Sequence, residues 1–341
     1  VIFRSCRRTL APALVASALL LAGFAAGCGG GSGGAASGDD PSPAAPTTPP
    51  VDSVSAANIP PDSATRTRFR EVMAYAEQQN LAERPSGEVV QALARRFLGR
   101  PYIIGPLDQT VEETPAEQLV CRLDGFDCFT FDEAVLAMAR AVKEGNPTYD
   151  QYKEYTRQLR YRDGDIGYCN RMHYYTEFVH QAEQEGILRN ITKDLGGQQR
   201  PDFQYAFMGE HRDSYPQLES DSLYQCIQQV EERLSRTVEY HYIPQDNIQG
   251  VYDQLQAGDL IATATDIDGL DVTHTGLVYK GQSDTTGLLH ASTSGGVKIS
   301  PDLQEYVQGV DSQTGIIVAR PVFGEGGASR SSAGGSSASE R

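Results

Sequence analysis

The chain has 341 residues, enough for one large domain or two small ones, and its 45 acidic and 29 basic side chains give a formal charge of −16. Without clustered Lys and Arg to neutralise phosphates, nucleic acid is excluded as a partner class. The absence of tryptophan excludes a Trp-lined sugar platform and a Trp belt at a membrane surface.

In chain order, Arg4, Arg7 and Arg8 precede an apolar stretch over 10–27, the layout of a secretory signal peptide spanning 1–27. Ala25-Ala26-Gly27-Cys28 resembles the lipobox of bacterial lipoproteins, with Ala25 where leucine is usual. That resemblance implies lipidation of Cys28 and an exported, membrane-anchored protein facing the periplasm or cell wall. A plain secretory signal cut near Ala26 is the alternative. No other segment is long and apolar enough to span a membrane. Residues 28–63 begin with Cys28 and continue as a Gly-, Ser-, Ala- and Pro-rich flexible tether. Residues 324–341 have the composition of a disordered tail, so the folded domain is 64–323.

The spacing of Phe69, Val72, Met73 and Ala76 predicts a helix over 64–82, and Val89, Val90, Leu93 and Phe97 predict a second over 86–98. Phe131, Val135, Met138 and Val142 give one apolar face of a helix of about four turns, ended by Gly145-Asn146-Pro147. The middle, about 150–250, is rich in Tyr and Gln and reads as helices and loops around the entrance to a site. The last third changes period. Strands are expected at 260–265, 272–279, 288–292, 297–300 and 315–320, with a short helix at 301–308. Helices followed by an antiparallel meander make an α+β fold.

Six cysteines lack framework spacing. Setting aside Cys6 in the signal and Cys28, the remaining Cys121, Cys128, Cys169 and Cys226 allow three pairings, among which sequence does not choose. Cys128 stands where the helical period begins, behind Asp127, a good N-cap. A thiol in a first helical turn feels the positive end of the helix dipole, which favours the thiolate. His274 and His290 fall on adjacent expected strands, which can bring both imidazoles to one sheet face. A nucleophile at a helix start, a base on a sheet and a third group orienting the base is the logic of a catalytic triad. His180, His211 and His241 lie in unpatterned polar surroundings and read as surface residues.

The order F-D-C-F-T-F-D-E, then G-L-D-V-T-H-T-G-L-V-Y, then L-L-H-A-S resembles the NlpC-type papain-like cell-wall hydrolases. The match is closest to their N-acetylmuramoyl-L-alanine amidase-like branch, through L-G-R-P-Y-I-I-G (98–105), Arg160-Tyr161-Arg162-Asp163-Gly164, Gly167-Tyr168, Arg171-Met172-His173-Tyr174, Phe207-Met208 and Ala257-Gly258-Asp259-Leu260-Ile261. It spans about 90–322. The resemblance implies a papain-like (NlpC-type) fold, its N-terminal helices packed on a small antiparallel β-sheet. It also implies a cysteine amidase acting on peptidoglycan or muropeptides as a monomer, with no cofactor and no metal.

In that scheme Cys128 attacks a carbonyl carbon, His274 takes the thiol proton and His290 orients His274. Tyr102 and the Cys128 N–H serve the substrate or the oxyanion. Arg160, Arg162, Arg171, His173 and Asp271 complete the candidate substrate-binding set, arginine forks being suited to stem carboxylates. The bond implied is the one between the lactyl group and L-Ala, with Tyr161, Tyr168, Tyr174 and Tyr175 offering a surface for sugar. Cys121 and Cys169 depart from the pattern, and pairing of either with Cys128 would block the nucleophile. Four other readings use the same residues: an endopeptidase cutting between D-Glu and the diamino acid, an acyltransferase, a metal site built from Cys128, His274 and His290, and a non-catalytic wall-binding lipoprotein.

Overall fold

The computed structural model describes residues 62–108, 117–281 and 285–324. The expected signal peptide, Cys28, the tether as far as residue 61 and the tail from 325 lie outside the described residues. Among the described residues, seven α-helices precede or interrupt the sheet: α1 (Asp62–Gln78), α2 (Ser86–Ala94), α3 (Cys128–Lys143), α4 (Tyr149–Arg160), α5 (Tyr175–Gln184), the single turn α6 (Phe207–Glu210) and α7 (Asp221–Thr237). The strands are β1 (Leu188–Asn190), β2 (Gln198–Gln199), β3 (His241–Pro244), β4 (Leu260–Thr265), β5 (Val272–Lys280), β6 (Thr286–Ser292), β7 (Gly296–Ser300) and β8 (Gln313–Pro321), with α8 (Leu303–Gln308) before the last. They form one antiparallel sheet in the order β2-β3-β8-β4-β5-β6-β7, with β1 also on β8. The α+β arrangement expected from the sequence is therefore present. Among the described residues no helix is long and apolar enough to cross a membrane.

α3 is the central helix. Its apolar positions run nearly all round it, so Phe131, Val135, Leu136, Met138 and Ala139 are all fully buried, as a helix enclosed on every side requires. It packs on α2 and α4 on one side and on β5 and β6 on the other. Leu277 of β5 and Leu289 of β6 turn toward this helical layer, while Val278 and Leu288 turn to the opposite face of the sheet, as strand alternation dictates. Leu303 and Val307 of α8 cover that second face. A third, smaller cluster joins Tyr168, Tyr174, Phe207, Met208, Ile227 and Leu234. There the Cys169–Cys226 disulfide ties the 161–173 loop to α7. Cys121 and Cys128 are free.

The middle third is more regular than its sequence reads. α4 buries Tyr149, Tyr152, Tyr155, Thr156, Leu159 and Arg160. Its inner face is thus aromatic and polar, and an aliphatic period does not reveal it. Arg160, expected at the substrate, is an interior residue, 2% exposed. Its guanidinium forks onto Glu133 of α3, with Nε donating to Oε1 at 3.0 Å, while Nη1 donates to the Val120 carbonyl at 2.6 Å. Removing one partner of a buried pair strands the other charge. Arg160→Ala should therefore lower stability in urea unfolding by about 3–5 kcal/mol. Arg236→Ala, which breaks an exposed pair with Glu232, should cost under about 1 kcal/mol. Equal effects would contradict this reading of Arg160.

Candidate active site

The site is assembled where α3 begins. Asp127 has extended backbone and caps the helix: its Oδ1 accepts the Thr130 N–H at 2.8 Å, and Thr130 Oγ1 accepts the Asp127 N–H at 3.1 Å. This reciprocal box fixes where the helix starts and so fixes Cys128 as its first residue. The N–H groups of a first helical turn have no partner within the helix, and the Cys128 N–H is one of them.

The histidines stand where two strands part. β5 and β6 are paired from Lys280↔Thr286 to Leu277↔Leu289, and no further. His274 lies three residues beyond the last rung and His290 one residue beyond it. Gly276 lies between them on the same face. A Cβ there would meet the His290 Cβ at 2.8 Å and the Leu289 carbonyl at 3.0 Å, which is why glycine follows His274 at this spacing. His274 Nε2 is 2.7 Å from His290 Nδ1, and His290 Nε2 is 3.0 Å from Ser300 Oγ of β7. Tyr306 of α8 packs against both rings, with centroids 5.7 and 4.8 Å away. Ser300 and Tyr306 fall on expected elements, but nothing in the sequence marks them as neighbours of the histidines.

Cys128 and His274 line one cavity of about 240 Å³. Arg171, His173 and Asp271 line it too, as do Tyr168, Tyr174 and Tyr175. His290 stands behind His274, fully buried. Tyr102, Arg160, Arg162 and Tyr161 are not on its wall. Tyr102 is buried and bridges to Phe126 through the backbone. Arg162 pairs with Glu177 and the Cys169 carbonyl, bracing the loop behind the wall. The Tyr161 hydroxyl donates to Glu117 at 2.9 Å.

The polar groups of the wall have partners of their own. Arg171 donates to Asp108 at 2.8 Å and to the Leu107 carbonyl at 3.3 Å. His173 Nε2 is 2.8 Å from the Tyr168 carbonyl, so that nitrogen carries the proton; burial and the nearby Arg171 guanidinium push the imidazole down to about 3. Asp271 caps α5 from another element: Oδ2 accepts the Thr176 N–H and hydroxyl, and Oδ1 accepts the Val272 N–H, each at 2.9 Å. Burial pushes its carboxyl up to about 6. Its bonds fix the start of β5, three residues before His274.

Burial also sets the protonation of the central pair. It pushes the Cys128 thiol up to about 12, helped by Asp127, while the Thr275 N–H acts in the opposite sense. Burial and Lys298 push His274 down to about 4, and burial and His274 itself push His290 down to about 2. Burial thus favours a neutral thiol and a neutral imidazole in the shared cavity. Helix-start placement alone favoured a thiolate; enclosure and the capping carboxylate outweigh it. If His274 Nδ1 is the free base, the proton sits on Nε2, His290 Nδ1 accepts it, and His290 Nε2–H donates to Ser300.

The sequence profile of a family described as AmiA-like, N-acetylmuramoyl-L-alanine amidase-like, matches residues 92–316. No curated protein matches the chain. Among solved structures, an N-acetylmuramoyl-L-alanine amidase from Bacteroides uniformis is similar at 28% identity over 69% of this chain and 98% of that one, with a TM-score of 0.64. A Bacteroides fragilis protein provisionally named a xylanase is similar at 30% identity over 67% of this chain and 98% of that one, TM-score 0.58. A Legionella pneumophila protein at 18% identity covers 76% of this chain and 95% of its own, TM-score 0.56, a likeness of fold alone.

A neutral thiol reacts only through its small ionised fraction. Labelling of Cys128 by iodoacetamide should therefore rise by about tenfold per pH unit between pH 6 and 9. A rate plateau below pH 6, the mark of a preformed thiolate–imidazolium pair, would overturn the neutral assignment.

Proposed function

The chain belongs to the AmiA-like, N-acetylmuramoyl-L-alanine amidase-like family, and from that premise we propose that it is a cysteine amidase cutting the lactyl–L-Ala amide of peptidoglycan fragments. The observation that carries the chemistry is the hydrogen-bonded chain His274–His290–Ser300, whose outer member His274 shares a cavity with a cysteine at a helix start. His274 Nδ1 takes the proton from the Cys128 thiol as the sulfur attacks the carbonyl carbon. The Cys128 N–H faces the developing oxyanion. His290 accepts the His274 Nε2–H and so steadies the imidazolium. That imidazolium protonates the leaving amine, and an acyl group remains on sulfur. Water, losing its proton to His274, hydrolyses the thioester and frees the thiol.

A helix-borne cysteine against an antiparallel sheet that carries the histidines also supports reading the fold as papain-like, of the NlpC type. Tyr168, Tyr174 and Tyr175 give the cavity flat apolar surface with polar edges, suited to a sugar face. Arg171 is the wall's cation for a stem carboxylate, once Asp108, which is 55% exposed, yields its place.

Incubation with a disaccharide-tetrapeptide should give a free disaccharide bearing the lactyl carboxylate and a peptide beginning with L-Ala, read by mass spectrometry. A disaccharide retaining L-Ala-D-Glu would instead identify an endopeptidase. Cys128→Ala should abolish turnover and His274→Ala should cost about two orders of magnitude or more. His290→Asn, which keeps an acceptor, should cost less. Turnover by Cys128→Ala at the wild-type rate would end the cysteine mechanism.

We place the protein outside the cell, held to a membrane through lipidated Cys28 and its Gly- and Pro-rich tether. In detergent phase separation, the full chain should enter the detergent phase and Cys28→Ala the aqueous one. Aqueous partitioning of both would leave only a secretory signal.

A further inference from the structure

Two side chains near the start of α3 point toward β5. Cys128 and Asp132 are four residues apart and share a helix face. Thr275, on the same side of β5 as Leu277, lies beside both: its N–H and hydroxyl approach the sulfur, and its hydroxyl approaches the Asp132 carboxyl. Asp132 is fully buried and Thr275 nearly so. Yet among the described residues neither Asp132 oxygen nor the Thr275 hydroxyl completes a hydrogen bond. The buried Tyr175 hydroxyl of α5, which feels both Asp132 and Cys128, completes none either. Buried polar groups are ordinarily matched, so three unmatched ones around a nucleophile need a reason. The charged neighbour acting on Asp132 is Asp127, another carboxyl. Burial and that like charge raise Asp132 well above the usual carboxylate range, against the opposing pull of the Thr275 hydroxyl; held neutral, it has an O–H to donate, as a carboxylic acid in an apolar site can.

We propose that Asp132 and Thr275 form a hydrogen-bond chain aimed at the nucleophile: the acid O–H of Asp132 donates to Thr275 Oγ1, and the Thr275 O–H donates to the Cys128 sulfur as it becomes a thiolate. The inference rests on Cys128 being the nucleophile. The direction of the chain is what matters. An ionised Asp132 would accept the Thr275 O–H and turn oxygen lone pairs toward the sulfur, opposing its charge. No bond breaks within the chain, because the thiol proton leaves toward His274. Asp132 is therefore a positioning residue that acts through Thr275, and Tyr175 O–H can donate to its remaining carboxyl oxygen.

The test is iodoacetamide labelling of the full chain at pH 8, with the Cys128 peptide followed by mass spectrometry so that other thiols do not count. Thr275→Val and Asp132→Leu should each slow labelling by about tenfold, equivalent to one unit in thiol pKa. Thr275→Ser and Asp132→Asn, which keep a donor in place, should label at the wild-type rate. Thermal melts accompany each variant, and if Asp132→Leu does not fold, the Thr275→Val and Asp132→Asn pair decides. Faster labelling in Asp132→Asn would mean an ionised, opposing carboxylate and overturn the proposal. Unchanged labelling in a folded Thr275→Val would overturn it too. Labelling reads the sulfur directly, so it is separable from the amidase reading, which stands or falls on muropeptide turnover by Cys128→Ala.

Discussion

Everything in the site depends on one helix having no solvent face. α3 is enclosed by α2, α4, β5 and β6, so its rotation and position along its axis are fixed by packing rather than by its ends. An enclosed helix has few polar side chains, and two of them are matched inside. Glu133 is matched by Arg160. Thr130 is matched by Asp127, and that bond sets the residue at which the helix begins. Cys128 is thus placed by core packing, with the capping box supplying the last degree of freedom. The same enclosure raises the thiol and lowers both imidazoles, so position and protonation state have a common cause.

Much of this was legible in the sequence because it is written in aliphatic periodicity. Phe131, Val135, Met138 and Val142 mark α3, and the alternating strands of the last third fall within two residues of their expected bounds. Cys128, His274 and His290 are legible as a set because each sits at a recognisable place on such an element. The middle third was not legible in detail. α4 and α7 turn inward residues such as Tyr152, Thr156, Arg160 and Glu231, which in sequence look like surface. Burial of these groups depends on partners far along the chain, and periodicity carries no information about partners.

The arginines show the same limit. Arg160, Arg162 and Arg171 look alike in sequence, yet one is an interior ion pair, one braces a loop and one reaches the cavity. Ser300, Tyr306 and Thr275 are the converse. They are ordinary residues on expected elements, and only the sheet register and the packing of α8 bring them to the histidines and the sulfur. Asp271 joins both cases, since it lines the cavity while its oxygens cap α5.

The relay His274–His290–Ser300 crosses three neighbouring strands. In a sheet, adding or deleting one residue within a strand turns every later side chain to the opposite face. Insertions and deletions in a lineage of such proteins are therefore tolerated between the strands and not within them. Loops can lengthen freely while β5 keeps its residue count from His274 to the Leu277 rung, β6 from the Leu289 rung to His290, and β7 keeps Ser300 opposite Leu288. Length variation that spares this hydrogen-bonded chain is confined to the turns, and the surface that loops build around the cavity is where such proteins can diverge.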